Sequence, residues 1–203
     1  MVFVAPPLTS TTGFTLGNGS GIAMSGGTAS LSGSTDGWYP ALYTATPVAS
    51  DAFFAQCTVA STPTSVPSAL LIRGNSSTWQ QVAVGFGSAA TYLIFMTSAT
   101  ASGAVTESTI ATVFASGDVC RVTAVPIVTG GTLYTAYQNG ASIGVWTDSG
   151  ATSSSGSAYR LGGLAMQRNS FTNSCSLSTL SIGDLGGLVA RPNNVPLYRS
   201  ALY

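Results

Sequence analysis

The chain has 203 residues, 45% of them hydrophobic and only 6% charged, with six Arg, no Lys, six acidic residues, no His and a formal net charge of zero. The missing histidine removes Ser-His-Asp and Cys-His catalysis and the commonest metal ligand. The neutral, Lys-free balance leaves no basic stripe for nucleic acid and no polybasic patch for an anionic membrane.

Taken in chain order, residues 1–12 read as a Pro/Thr-rich arm. Met1 to Pro7 lacks a basic n-region, and Pro6 and Pro7 cut its apolar run, so it is not a secretory signal. Gly17-Asn18-Gly19-Ser20-Gly21 is a turn cluster; no Lys follows and no helix is predicted, which excludes a phosphate loop. From Phe53 to Val59 the apolar residues alternate, placing Phe53, Ala55, Cys57 and Val59 on one face of a strand. Further strands are predicted over 69–73, 80–86, 91–97, 110–114 and 119–125. The uncharged stretch between Arg73 and Glu107 is broken by Gly85 and Gly87, so paired strands are expected there and no membrane span.

Asn139-Gly140 between Leu133–Gln138 and Ala141–Trp146 predicts a hairpin with a type I′ turn, which needs two positive-φ positions. Strands over 159–167 and 175–183 follow a Gly/Ser/Thr loop. At least eight short strands and almost no helical periodicity give an all-β fold over 13–185, a sandwich or jelly roll. Residues 186–203 form an apolar tail without turn signals. Its Arg191, Pro192, Leu197, Tyr198 and Tyr203 are the expected assembly contacts, on the chain's own sheet or on a neighbour. Cys57, Cys120 and Cys175 lack any C-x-x-C spacing and read as small buried strand residues, with one disulfide as the alternative.

From Trp38 to Leu185 the order of features resembles the concanavalin A-like (laminin G-like) jelly rolls of phage tail and other virion proteins. The resemblance is carried by Ala41-Leu42-Tyr43, Ser50 to Gln56, Leu70-Leu71-Ile72-Arg73-Gly74-Asn75 and Trp79 to Phe86. It continues through Ser116-Gly117-Asp118-Val119, Leu133 to Gly140, Arg160 to Leu164 and Leu180 to Leu185. In such domains a G-D turn precedes a strand and a Y-x-N-G hairpin follows it. The resemblance implies a two-sheet antiparallel jelly-roll sandwich. The Lys-free, Ala/Gly/Ser/Thr-rich style is similar to minor tail proteins of phages that infect high-GC actinobacteria.

A glycosidase of this fold needs two carboxylates flanking one bond. Asp36, Asp51, Glu107, Asp118, Asp148 and Asp184 are isolated in sequence, and most fall in predicted turns, so no catalytic residue is assigned. The loop Asp148 to Thr152 offers one carboxylate and some hydroxyls, too little for a calcium assignment, and no metal or cofactor is expected. Glycan binding needs an aromatic platform and planar polar groups; Trp79, Gln81, Asn75, Tyr92, Tyr137, Trp146 and Arg168 are the candidates, with Arg73 of the same type.

The functional expectation is a non-enzymatic bacteriophage virion structural protein, a minor tail protein in contact with host surface glycan. Its partners would be other virion proteins and copies of itself, with neither nucleic acid nor membrane insertion. A capsid decoration protein and a secreted carbohydrate-binding module are the alternatives.

Overall fold

The computed structural model describes residues 1–100 and 103–186. Its strands are β1 (Phe3–Val4), β2 (Phe14–Leu16), β3 (Ile22–Ser25), β4 (Thr28–Leu31), β5 (Gly37–Tyr43), β6 (Phe53–Val59), β7 (Ser68–Gly74) and β8 (Gln81–Phe86). They continue with β9 (Thr91–Met96), β10 (Val105–Ile110), β11 (Val119–Pro126), β12 (Thr132–Gln138), β13 (Ala141–Asp148), β14 (Leu161–Asn169), β15 (Thr172–Asn173) and β16 (Leu177–Asp184). Sheet I runs β13-β12-β11-β6-β16-β4-β3, with β1 on β16; sheet II runs β10-β9-β8-β7-β14-β5-β2, with β15 on β14. Every pairing is antiparallel. The result is an all-β sandwich of the jelly-roll kind.

Alternation builds the core. Phe53, Ala55, Cys57 and Val59 of β6 point inward and meet Leu70, Ile72, Val82, Val84 and Phe86 from sheet II. The three cysteines lie in this cluster as free thiols, with Cys57 directly opposite Cys120 across β6 and β11. Burial pushes all three thiols above their ordinary range, so they are packing groups rather than nucleophiles.

Strands β7 and β8 differ from β6: they are buried along their whole length, on both faces. Sheet II therefore carries a second apolar layer on its outer side, made of Trp38, Leu42, Ala69, Leu71, Ala83, Met96, Leu161 and Ala165. The outer side of sheet I stays mixed, with Arg121 lying 4.2 Å from the Phe54 ring centroid.

The hairpin at Asn139-Gly140 forms with φ 50 and 85, the two left-handed positions its turn requires. Asp118 ties it to the preceding Gly-Asp turn by accepting bonds from Asn139 Nδ2 (2.7 Å), Gln138 Nε2 (2.6 Å) and the Ala115 N–H (2.8 Å). The strand expected at 110–114 is displaced to Val105–Ile110. Beyond Ile110 the chain leaves the sheet edge and sinks Phe114 against Phe86, ring centroids 5.0 Å apart, on its way to sheet I.

The N-terminal segment lies along the sandwich. Phe3 and Val4 pair with Gly183 and Ile182, the Val2 N–H donates to Asp184 Oδ2 at 2.6 Å, and Leu8 is buried in the core. The tail residues Arg191, Pro192, Leu197, Tyr198 and Tyr203 lie outside the described residues. Among the described residues no helix is long and apolar enough to cross a membrane.

Candidate functional site

The outer face of sheet II is assembled by register. Gly85, Ala69, Ala165 and Pro40 line up across β8, β7, β14 and β5, and Ala83, Leu71, Gly163 and Leu42 form the next row. Small side chains in these rows keep the floor low. No Asp, Glu, Lys or Arg points outward from these rows, so the floor is apolar and uncharged. Arg73 would be the exception by alternation, but its φ of 55 turns the side chain into the interior.

Three loops meet over this floor. An ideal Cβ on Gly17 would stand 2.8 Å from Pro40 Cγ and 3.0 Å from both Ala99 Cβ and Trp79 Cη2, which is why glycine occupies the position. Trp79, half-buried, packs on the outer apolar layer. Its placement begins with Asn75, whose Oδ1 accepts the Ser77 and Thr78 N–H groups (2.8 and 3.0 Å) while its carbonyl accepts that of Trp79 (2.8 Å). The loop closes with Trp79 at φ 59, a left-handed conformation rare for an aromatic residue. Asn75, Ser76 and Ser77 of the same loop line a pocket with Thr44, Ser157 and Leu161, uncharged and rich in hydroxyls.

The loop on the far wall of this pocket is braced by charge. Asp51 Oδ1 sits 3.1 Å from Arg73 Nη1 and 3.1 Å from Arg160 Nε, and also accepts the Gly156 N–H at 3.1 Å. Burial opposes ionisation of Asp51, but the Arg160 hydrogen bond, the Arg73 charge and the Gly156 N–H outweigh it and hold the carboxyl below its usual range.

Among the described residues, two polar side chains of the outer face have no partner. Gln81 is 0% exposed with neither Oε1 nor Nε2 hydrogen-bonded, and Trp38 is 4% exposed with its Nε1–H unmet.

Of the sequence candidates, Trp79, Gln81 and Tyr92 share this outer face, and Asn75 shapes the loop that carries Trp79. Tyr137 lies on sheet I, opposite Arg121. Trp146 stacks on Tyr134 at 5.0 Å and 14° and leans on Phe95, so its ring is engaged by the core. Arg168 stands at the end of β14, 3.5 Å from Asp36 and 6.0 Å from the ring centroid of the exposed Phe171. Asp148 accepts the Thr152 and Ser153 N–H groups at 2.8 and 2.7 Å, so its oxygens serve the loop. Among the described residues no group of three or more His, Cys, Asp or Glu could hold a metal ion. Sequence reasoning missed Trp38, whose place on the outer layer follows only from the pairing of β5 with β14.

No family model matches the chain, and no curated protein matches it. Solved structures do. The carbohydrate-binding module CBM66 from Bacillus subtilis aligns with a TM-score of 0.54 at 13% identity, covering 88% of this chain and 97% of its own. The metal-free carbohydrate recognition domain of Emp46p aligns at 0.58 and 10% identity, covering 88% and 94%. A prokaryotic β-1,3-1,4-glucanase (lichenase) derived from a mouse hindgut metagenome aligns at 0.55 and 9%, covering 91% and 99%. At such identities the likeness is one of fold: the chain is a concanavalin A-like jelly roll, of the architecture found in lectin-like, carbohydrate-binding and glucanase domains.

Proposed function

We propose that this chain is a carbohydrate-binding domain that holds a neutral glycan on the outer face of sheet II without cleaving it. The observation that carries the reading is the uncharged, small-residue floor with Trp79 packed on it, at the end of a loop whose Asn75, Ser76 and Ser77 line a hydroxyl-rich pocket. A sugar ring presents an apolar C–H face and a rim of hydroxyls, and it is complementary to an aromatic ring flanked by neutral polar groups. Hydrolysis is disfavoured because none of β5, β7, β8, β9 and β14 carries a carboxylate to act as acid or nucleophile. Carbohydrate-binding domains among the structural neighbours support the binding reading, and the lichenase is the reason to test for cleavage as well.

The test is a glycan array printed with neutral and acidic polysaccharides, followed by reducing-end assays on whatever binds. Retention on neutral glycans without release of reducing ends is expected. No retention on any of them refutes the reading, and turnover refutes its non-enzymatic half.

The virion setting, as a minor tail protein or a capsid decoration protein, rests on the sequence resemblance and the Lys-free composition. Many copies of a weak site on a particle would gain avidity of ~10²–10⁴-fold. Light scattering on the full chain and on a chain ending at Leu185 tests the associated proposal that the tail drives self-assembly; equal monomer masses would refute it.

A further inference from the structure

Gln81 opens β8 with Val82 pointing into the core, so its own side chain lies on the outer face. Across the strand pair it faces Met96; Ala83 follows it on the same face, and Leu71 stands beside Ala83. The residue is fully buried, and both polar atoms of its amide are unpartnered. An unmet buried amide is unfavourable, and a Leu or Met of similar volume would remove the penalty.

Resting on the carbohydrate-binding reading above, we infer that Gln81 is the recognition group of this face, set to engage two adjacent hydroxyls of a neutral sugar, and that Trp79 is the lid that uncovers it. A planar amide presents one donor and one acceptor side by side. Two neighbouring hydroxyls, each able to donate and to accept, match that pair in a way that a carboxylate or an ammonium does not. The floor supplies no countercharge for an ionic ligand. Trp79 is suited to move: it is only half-buried, its φ of 59 is a conformation that side chains rarely hold, and the loop it ends is built from local turn bonds around Asn75.

A residue kept for binding at the expense of folding makes a double demand on one substitution. Q81L should raise the melting temperature, because it removes an unmet polar group, and should weaken binding at least tenfold. The measurement is retardation of the full chain in native affinity gels cast with mixed-linkage β-glucan, dextran or galactomannan, with polygalacturonate as the acidic control, alongside thermal melts of the same samples. Q81N keeps the amide but draws it back by one methylene. It should stay folded and bind more weakly than wild type.

Wild-type retardation that Q81L abolishes, in a protein that melts higher, supports the inference. Equal retardation of wild type and Q81L overturns it and leaves the carbohydrate reading standing. A lower melting temperature for Q81L overturns the premise that the amide is unmet. Retardation of wild type by none of the neutral polysaccharides overturns the carbohydrate reading, and this inference falls with it.

Discussion

Arg73 Nη1 lies 3.1 Å from Asp51 Oδ1 with the Arg73 side chain 1% exposed, and the same carboxylate oxygen takes Arg160 Nε at 3.1 Å. The left-handed φ of Arg73 makes this possible, since simple alternation would have put the guanidinium on the apolar outer face of sheet II. Inside, it also reaches the Asp51 carbonyl at 2.9 Å and lies 5.8 Å from the Phe53 ring centroid. Replacing Arg73 by Met should destabilise the fold by roughly 2–4 kcal/mol, toward the lower end of the range for breaking a buried pair because Asp51 keeps Arg160. Urea unfolding checks this. A loss within error of zero would mean that the buried ion pair is energetically idle.

Acid should unfold the domain by protonating carboxylates that the fold holds ionised. Asp118 is lowered from 3.8 by the Ala115 N–H and the Asn139 side chain, while Asp184 is lowered despite burial by the Val2, Ser50 and Ala49 N–H groups and the Ser50 hydroxyl. A carboxyl depressed in the folded state contributes stability that is present above its unfolded value and lost as pH falls through its folded one. Stability should therefore be flat above about pH 5 and decline from about pH 4 downward. Asp184→Asn should lower stability at neutral pH and make the acid decline shallower. An unchanged pH profile would mean that Asp184 contributes nothing to it.

Gly17→Val tests the meeting of three loops. Its branched side chain would enter space held by Pro40, Ala99 and Trp79. Overpacking of this kind costs about 1–3 kcal/mol when the neighbours cannot yield. Here Trp79 can yield, so its indole should swing outward and the tryptophan emission should shift to longer wavelength. Unchanged emission with a full stability loss would show that Trp79 is fixed on the floor.

Gly140→Ala isolates a backbone effect. Gly140 has φ 85, and nothing lies within 4 Å of where its Cβ would stand, so the only change is the left-handed penalty of about 1–2 kcal/mol. The melting temperature should drop accordingly, with no change in glycan retention, because the hairpin belongs to sheet I. Gly131→Ala should cost far more than Gly140→Ala, since its Cβ would fall 2.0 Å from the Asp148 carbonyl oxygen.

Much of the fold was legible from local pattern. Period-two alternation in Phe53–Val59 and the Asn139-Gly140 pair identified a core strand and a hairpin because side-chain direction and turn conformation are short-range properties. The Asp118 turn and the hairpin were also readable, though not the bonds that join them. Trp79 and Gln81 could be nominated by residue type, but type alone could not separate them from Trp146, whose ring is taken up by Tyr134 and Phe95.

Which face of sheet II became a site was decided only in three dimensions. Ala69, Ala83, Gly163 and Ala165 look like ordinary small residues until the register of β8, β7, β14 and β5 sets them side by side and makes a floor. Gly17, Trp79 and Ala99 come from three separate loops and meet only because those strands carry the loops to one place. A strand's own residues determine its alternation, whereas its neighbours are chosen by the burial of the whole sandwich, so the sequence alone could specify the jelly roll but not the uncharged face on which Gln81 lies unpaired.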